Sequence, residues 1–563
     1  MRVLGRVSGG LAMVLLLALG TLALRSSQSP VLASDSPAAA ASLDNPDAVC
    51  ASCHRGIYDR YERTPMARGS GVATDALQAG SMHHGASGID YRVFLRGGSA
   101  WMSFARSGAS DALAGERRLA YYIGSGRRGR TYLYAVDGQW FELPINFYTR
   151  RGAWDMAPAF DEAPSMPAVL PVDPNCLHCH ATQVAAALPK ARNRFVGQPF
   201  EQGGIGCRAC HGDPAEHLAK HGRGAIVNPD TLDAARRDSA CTQCHLEGET
   251  VVYRAGRSLS QFRAGEDLKE TAVFFVGGGG GERATSQYEA LLRSACKRGS
   301  GDRLTCTSCH DPHASPSAAE RVQYFRARCL ACHAAAKMAT EHHPEQPDCA
   351  SCHMPTRETT DISHEQVTDH DVEARPGRGR TARGGIAGEL VTVGGVPASE
   401  AEYGMAYAQL AARGGAAYRE QALRRLTHAA EAGPLEPAME AQLGYLLQVS
   451  GQSEAARTAY VAALREDPYQ PTALGNLGVL EAASGRVAEA VRLLGRLVEA
   501  DPSQTPAGLN LAWIECQIGE RAEARQVLER LRRINPDDPQ LRMFAGSGNY
   551  LGRHCELTDA AGN

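Results

Sequence analysis

The stretch Leu304-Thr305-Cys306-Thr307-Ser308-Cys309-His310-Asp311-Pro312-His313 decides how the middle of the chain is read. It contains Cys-x-x-Cys-His, and the chain carries that pattern seven times. The other copies are Cys50/Cys53/His54, Cys176/Cys179/His180, Cys207/Cys210/His211, Cys241/Cys244/His245, Cys329/Cys332/His333 and Cys349/Cys352/His353. With 17 Cys and 19 His in 563 residues, chance supplies on the order of 0.02 copies, so the motif is read as covalent c-type haem attachment. Two thiols two residues apart reach the two vinyl groups on one porphyrin edge, and the adjacent imidazole becomes the proximal iron ligand. Zinc ribbons use paired Cys-x-x-Cys without a His after every pair, and a disulfide framework needs no His at all. The motifs use fourteen of the 17 Cys. Cys296, Cys516 and Cys555 remain, an odd set that leaves at least one without an intramolecular partner. Packing or an incidental disulfide is their expected role.

The other face of each iron takes a second ligand or stays open to a small molecule. The haem-bearing stretch holds ten further histidines: His83, His84, His178, His217, His221, His313, His342, His343, His364 and His370. Ten candidates for seven places permit a protein in which every iron is held by two imidazoles. His313 is too close to His310 to wrap around the same porphyrin, so a neighbouring haem is its target, and His217 follows His211 with the same logic. His364 and His370 reach back from beyond the last motif, and His84 precedes a strand. The candidate distal ligands are therefore His84, His217, His313, His343, His364 and His370. For His178 and His221 an ordinary surface or loop role has at least equal weight. Met66, Met82 and Met354 are better read as packing.

Charge and composition exclude several classes. Lys+Arg 59 against Asp+Glu 62 leaves a net charge of -3, unlike a nucleic-acid binder or a polybasic membrane-surface protein. Arg2 and Arg6 precede an apolar run, Leu11 to Leu24, short for a membrane span and suited to a secretory signal with a cut after Ala33. The expectation is export to the periplasm, with membrane contact only if that segment stays uncleaved. No nucleic acid is expected as a partner.

Alternating apolar residues in Tyr91–Leu95, Trp101–Phe104, Tyr132–Val136 and Gln139–Leu143, with a turn at Asp137-Gly138, predict a small antiparallel β insertion between the first two motifs. Six motifs then fall between 173 and 370, where short helices and loops are expected to wrap porphyrins that themselves form the core. Gly277 to Gly281 lack a following Gly-Lys-Ser/Thr and read as a loop. Farther on, Pro434, Pro468, Pro502 and Pro536 recur every 34 residues, as do Gly451, Gly485 and Gly519, and Ala422, Ala456, Ala490 and Ala524. That is the tetratricopeptide period. The expected division is 1–33 signal peptide, 34–47 linker, 48–160 first haem site with the β insertion, 161–372 six-haem region, 373–398 linker, 399–542 repeat domain and 543–563 tail. The expected fold class is mostly α: a multihaem cytochrome domain with few regular elements and a small β insertion, then an α-solenoid.

Residues 48 to 372 resemble bacterial multihaem c cytochromes of the cytochrome c-552/4 and doubled-CxxCH type, here fused to tetratricopeptide repeats. The matching stretches include Cys50–His54 with Thr64-Pro65-Met66-Ala67, Ile123-Gly124-Ser125-Gly126, Glu142-Leu143-Pro144, Gly204-Ile205-Gly206-Cys207, Leu304–His313 and Cys352-His353-Met354-Pro355. The resemblance implies periplasmic electron transfer and carries over no particular activity. The Cys-x-x-Cys-Lys that marks the catalytic haem of pentahaem nitrite reductases does not occur here, and hydroxylamine oxidoreductases have eight haems.

Three readings of function follow. The leading one is a heptahaem carrier with seven covalent haem c groups, mainly bis-His, serving periplasmic redox partner proteins. The second leaves one iron open to reduce a small nitrogen or sulfur oxyanion clamped by Arg, with no catalytic residue assigned. In the third the repeat groove docks a protein partner and the haems sense redox state.

Overall fold

A computed structural model describes residues 43–108, 112–167, 169–188, 190–277, 283–333, 347–362, 364–373 and 389–557. The expected signal segment, the Gly278–Gly281 loop, His342 and His343, and most of the 373–398 linker lie outside the described residues.

Between the first and third motifs the chain is β-rich. Fifteen strands follow in order: β1 (Ser70–Val72), β2 (Gly80–His84), β3 (Ile89–Arg96), β4 (Ser99–Arg106), β5 (Leu113–Leu119), β6 (Tyr121–Ile123), β7 (Gly129–Val136), β8 (Gln139–Glu142), β9 (Ile145–Tyr148), β10 (Ala153–Met156), β11 (Leu170–Pro171), β12 (Ala181–Val184), β13 (Ala187–Leu188), β14 (Ala191–Phe195) and β15 (Phe200–Gly203). Strands β2 to β5 form an antiparallel meander. Its period-two alternation buries Ile89, Tyr91 and Val93 on β3 and Ala100, Met102 and Phe104 on β4, with Tyr91 opposite Phe104 and Val93 opposite Met102. Asp137 and Gly138 take φ 51 and 76, the left-handed pair that a two-residue hairpin between β7 and β8 requires.

A nine-stranded sheet runs β1-β6-β7-β8-β14-β13, with β9, β10 and β11 attached at its side. One face, with Tyr132, Tyr134, Phe141, Leu143 and Ile145, packs into the core shared with the meander. On the other face Tyr121, Leu133 and Trp140 pack with Leu177, Phe195 and Phe200. That contact seats the helix Pro174–His178, which carries the second motif, directly on the sheet.

The expectation of a mostly α cytochrome region with few regular elements and a small β insertion is therefore corrected. The sheets extend from Ser70 to Gly203 and pass through the second motif. Strands such as β5 (Leu-Ala-Gly-Glu-Arg-Arg-Leu) and the short β12 and β15 carry too little alternation to stand out in sequence, and tertiary pairing makes them strands.

The C-terminal part is a solenoid of helix pairs: Glu400–Ala412 with Tyr418–Ala432, Pro437–Val449 with Ser453–Glu466, Pro471–Ala483 with Val487–Ala500, and Thr505–Gln517 with Arg521–Ile534, followed by Pro539–Ser547. Small residues sit where paired helices cross. A Cβ at Gly478 would stand 2.8 Å from Leu494 Cγ, and one at Gly404 2.8 Å from Leu426 Cγ. Cys516 and Cys555 form a disulfide between the last pair and the tail.

The solenoid touches the β region at one end and a smaller sheet at the other. Arg106 donates two hydrogen bonds to Asp537, at 2.8 and 2.6 Å, with side chains 10% and 0% exposed. Gln139 Nε2 donates to the Ala500 carbonyl, and Arg533 pairs with Asp137. At the other end Arg254 pairs with Glu402, and Gln409 donates to the Val251 carbonyl on the strand Thr250–Tyr253.

Candidate functional site

Each motif folds as one tight turn. The amides of His54, His211, His310 and His333 donate to the carbonyl of the first cysteine of their own motif at 2.8, 2.9, 3.1 and 3.0 Å. A helical turn puts residues three and four apart on one face, so both sulfurs and the imidazole project to the same side. Side chains fix several of these turns. Asp173 accepts from Asn175 N and Cys176 N, Asp233 from Arg236 N, and Asp348 from Ser351 N, while Thr305 and Ser308 form a reciprocal cap around Cys306.

All seven turns open into one cavity of about 3230 Å³. Divided by seven motifs, that volume is about 460 Å³ each, within the ~300–1,000 Å³ of an ordinary ligand pocket. Its walls are the motifs, short helices and the polar end of the nine-stranded sheet.

Three pairs of imidazoles face each other across this space. His54 and His217 have ring centres 6.4 Å apart with planes 20° apart. His211 and His313 stand at 6.0 Å and 9°, and His310 and His370 at 6.2 Å and 28°. A first-row metal bound to two imidazole nitrogens at about 2.0–2.1 Å, each nitrogen about 1.15 Å from its ring centre, separates the centres by about 6.3–6.5 Å. The His54/His217 separation lies in that range, and the other two fall about 0.1 and 0.3 Å short of it. Each pair joins a motif histidine to one outside any motif, so the donor set fits covalent haem.

The outer nitrogens are also arranged for ligation. His211 Nδ1 donates to the Val227 carbonyl (2.8 Å), His217 Nδ1 to Gly224 (3.2 Å), His370 Nδ1 to Thr368 (2.8 Å) and His353 Nδ1 to Glu373 (2.5 Å). A carbonyl only accepts, so the proton is on Nδ1 and Nε2 carries the lone pair that a metal would take. Burial pushes His180 and His245 down and His310 to about 4, which favours the neutral ring a metal needs. Among the described residues no imidazole faces His180, His245 or His333 in such a pair.

Other candidates stand elsewhere. His84 is buried with Nδ1 bonded to Ser87 Oγ (2.7 Å) and Nε2 to the Asp161 carbonyl (2.9 Å), so neither nitrogen is available and it leaves the ligand set. His364 also leaves it, because its Nε2 meets the Asp155 carboxylate at 3.0 Å and Arg151 at 2.9 Å outside the cavity lining. His83 pairs with exposed Asp90, and His178 with Gln243 at 2.7 Å. His221 lines the cavity in a left-handed turn. Met82 packs on the sheet core, while Met66 and Met354 line the cavity.

Thiols of different motifs meet in pairs: Cys50 with Cys207, Cys179 with Cys244, Cys241 with Cys306, and Cys329 with Cys349. Cys210 acts electrostatically on Cys244, and Cys296 on both Cys309 and Cys329. The attachment points thus form a connected set. The polar wall of Thr131, Glu142 and Asn146 was not singled out chemically by sequence reading. Its signal was the Glu142-Leu143-Pro144 match, which a strand pattern alone does not interpret.

Comparison with known proteins agrees with this arrangement. Residues 157–212 match the family described as cytochrome c554 and c-prime, and residues 299–338 the doubled CXXCH motif family. Residues 441–505 and 481–546 match tetratricopeptide repeats. The multiheme cytochrome MtrA of Shewanella baltica (strain OS185) is 25% identical over 182 residues, covering 28% of this chain and 52% of that protein, so the chain spans about half the length of this relative. Solved structures with partial similarity include MamA of Desulfovibrio magneticus RS-1 (20% identity, 26% of this chain and 83% of that one, TM-score 0.24) and PilF of Pseudomonas aeruginosa (25%, 26% and 67%, TM-score 0.24). Residues 157–212 and 299–338 are thus similar to multihaem c-type cytochromes, and residues 441–546 to tetratricopeptide repeats.

Proposed function

We propose that the protein is a periplasmic heptahaem carrier that passes single electrons along a chain of mainly bis-His haems between redox partner proteins. The observation that carries this reading is the spacing of the three imidazole pairs, His54/His217, His211/His313 and His310/His370, each within about 0.3 Å of the separation of two axial ligands on one iron. When bound, haem supplies a one-electron couple, and two imidazoles without a Met ligand set it low. The protein's own part is to fix the tautomer and orientation of imidazoles through Nδ1 bonds to backbone carbonyls, to favour the neutral ring by burial, and to keep neighbouring attachment points close. The thiol contacts support the order one–three–four–five–six–seven along the motifs, with the second motif branching from the fourth. The period of the C-terminal helices supports a protein partner in the solenoid groove. Periplasmic location rests on the signal-like segment at Leu11 to Leu24.

One observation favours a second reading, reduction of a small nitrogen or sulfur oxyanion at an open haem. His180, His245 and His333 have no facing imidazole among the described residues, and Arg128 lies within electrostatic reach of His245. Electron paramagnetic resonance of the purified ferric holoprotein separates the two. A carrier gives low-spin signals throughout, whereas a high-spin haem supports the reductase. A pyridine haemochrome assay showing five haems or fewer in mature protein refutes the heptahaem reading.

A further inference from the structure

Glu142 occupies the end of β8 on the cavity side of the nine-stranded sheet. Its cross-strand neighbours are Leu133 on β7 and Leu170 on β11. Strand β11 continues through Pro171 and Val172 to Asp173, which caps the helix bearing Cys176. The carboxyl and the second attachment point are therefore held by one short run of paired backbone, and Glu142 and Cys176 lie within electrostatic reach of each other. The groups facing the carboxyl are few. From β7 comes the buried Thr131 hydroxyl, the one group that acts to favour the carboxylate. From the helix comes Cys176, a neutral thioether once haem is attached, whose backbone N–H donates to the Asp173 carboxylate. Among the described residues no Lys, Arg or His acts on Glu142. Neighbouring acids on the cavity wall are placed differently: Asp47 accepts from Gln202 and Cys207, and Glu373 pairs with Arg357.

A carboxylate on this wall has no counter-charge, and porphyrin filling the cavity would displace the water that reaches the half-buried side chain, so its ionised form is disfavoured there. Burial pushes Glu142 up to about 7, against the weaker opposing effect of the Thr131 hydrogen bond. Adding negative charge nearby raises it further.

We propose that Glu142 is a redox-linked proton site for the haem attached at Cys176 and Cys179, its carboxylate binding one solvent proton as that haem takes up one electron. The electron comes from an upstream haem or an added one-electron reductant and converts ferric to ferrous iron. The proton converts –COO⁻ to –COOH, so net charge at the site is unchanged, and oxidation releases both. This proposal rests on the electron-carrier reading and names a further function, proton uptake, for one branch of the chain.

The test is spectroelectrochemical titration of the full-length holoprotein across neutral pH, with dithionite as reductant. In the wild type one midpoint potential falls with rising pH, by up to about 59 mV per tenfold change in proton activity. In E142Q that midpoint becomes pH-independent while the haem count is unchanged. In T131V, which removes the bond that favours the carboxylate, the sloping interval moves to higher pH. Redox-difference infrared spectra show a carboxylic-acid carbonyl band on reduction that E142Q lacks. A wild type with no pH-dependent midpoint, or an E142Q that keeps the slope and the band, overturns the proposal while reversible one-electron steps leave the carrier reading intact. Loss of reversible one-electron steps in the wild type overturns both.

Discussion

Replacing His313 with Ala removes one side of the tightest imidazole pair. In the structure the ring centres of His211 and His313 stand 6.0 Å apart with planes 9° apart, within about 0.3 Å of the separation expected of two axial imidazoles on one iron. Alanine ends at Cβ and offers no donor, and the backbone there is held independently by the bond from His313 N to Asp311 Oδ1 at 2.8 Å. The loss is therefore one axial ligand on the haem of the third motif, and the covalent attachment at Cys207 and Cys210 is untouched. If all seven haems begin low-spin, the ferric spectrum should convert one-seventh of its low-spin intensity to high-spin. The reduced protein should bind one additional carbon monoxide per chain, and the haem count should stay at seven. Imidazole added from solution should restore the low-spin signal, because the vacated space has the size of one ring. Unchanged spin state and no carbon monoxide binding would refute the inference that ring separation reports ligation, and would apply equally to His217 and His370.

The other expectations are independent of that one. His84→Gln and His364→Gln should leave spin state and haem count unchanged, since their nitrogens are already bonded to Ser87 and Asp161, and to Asp155 and Arg151; a new high-spin signal in either would return that residue to the ligand set. Asp537→Ala removes the carboxylate that accepts from buried Arg106 and from Met166 N and should cost about 3–5 kcal/mol, read as a lowered thermal midpoint and earlier proteolysis of the solenoid, whereas Arg106→Met with Asp537→Leu should recover part of it. Glu515 gives a pH dependence. Its equivalent 34 residues earlier, Glu481, is held by Arg457 and Arg486, but the corresponding positions around Glu515 are Val491 and Glu520. Burial pushes Glu515 up to about 7, with Glu520 and Glu523 adding to the rise. The native state then binds more protons than the unfolded chain between about pH 4.3 and the raised value, so solenoid stability should fall as pH rises through that window. Glu515→Gln should flatten the thermal-midpoint profile, and an unchanged slope would assign the effect elsewhere.

Much of this protein is legible in its sequence because the deciding chemistry is local. Cys-x-x-Cys-His is a five-residue reagent for one porphyrin, and the structure needs only a single turn to align it. The solenoid is equally local: Gly444 and Gly478 recur where helices cross, and a period of 34 residues states the packing before any coordinates exist. The Asp137-Gly138 turn belongs with them, since two left-handed residues in a row identify a hairpin. The extent of the sheet was not legible, because β12 and β15 become strands only by pairing with each other around the second motif. Nor was the choice among candidate distal histidines. His54 and His217 are 163 positions apart, and nothing in either neighbourhood names the other. His84 and His364 have the same side chain as His217 and His370, yet they spend their nitrogens on Ser87, Asp161 and Asp155. A proximal ligand is set by chain connectivity, whereas a distal ligand is set by which surfaces the folded chain brings within about 6 Å of each other.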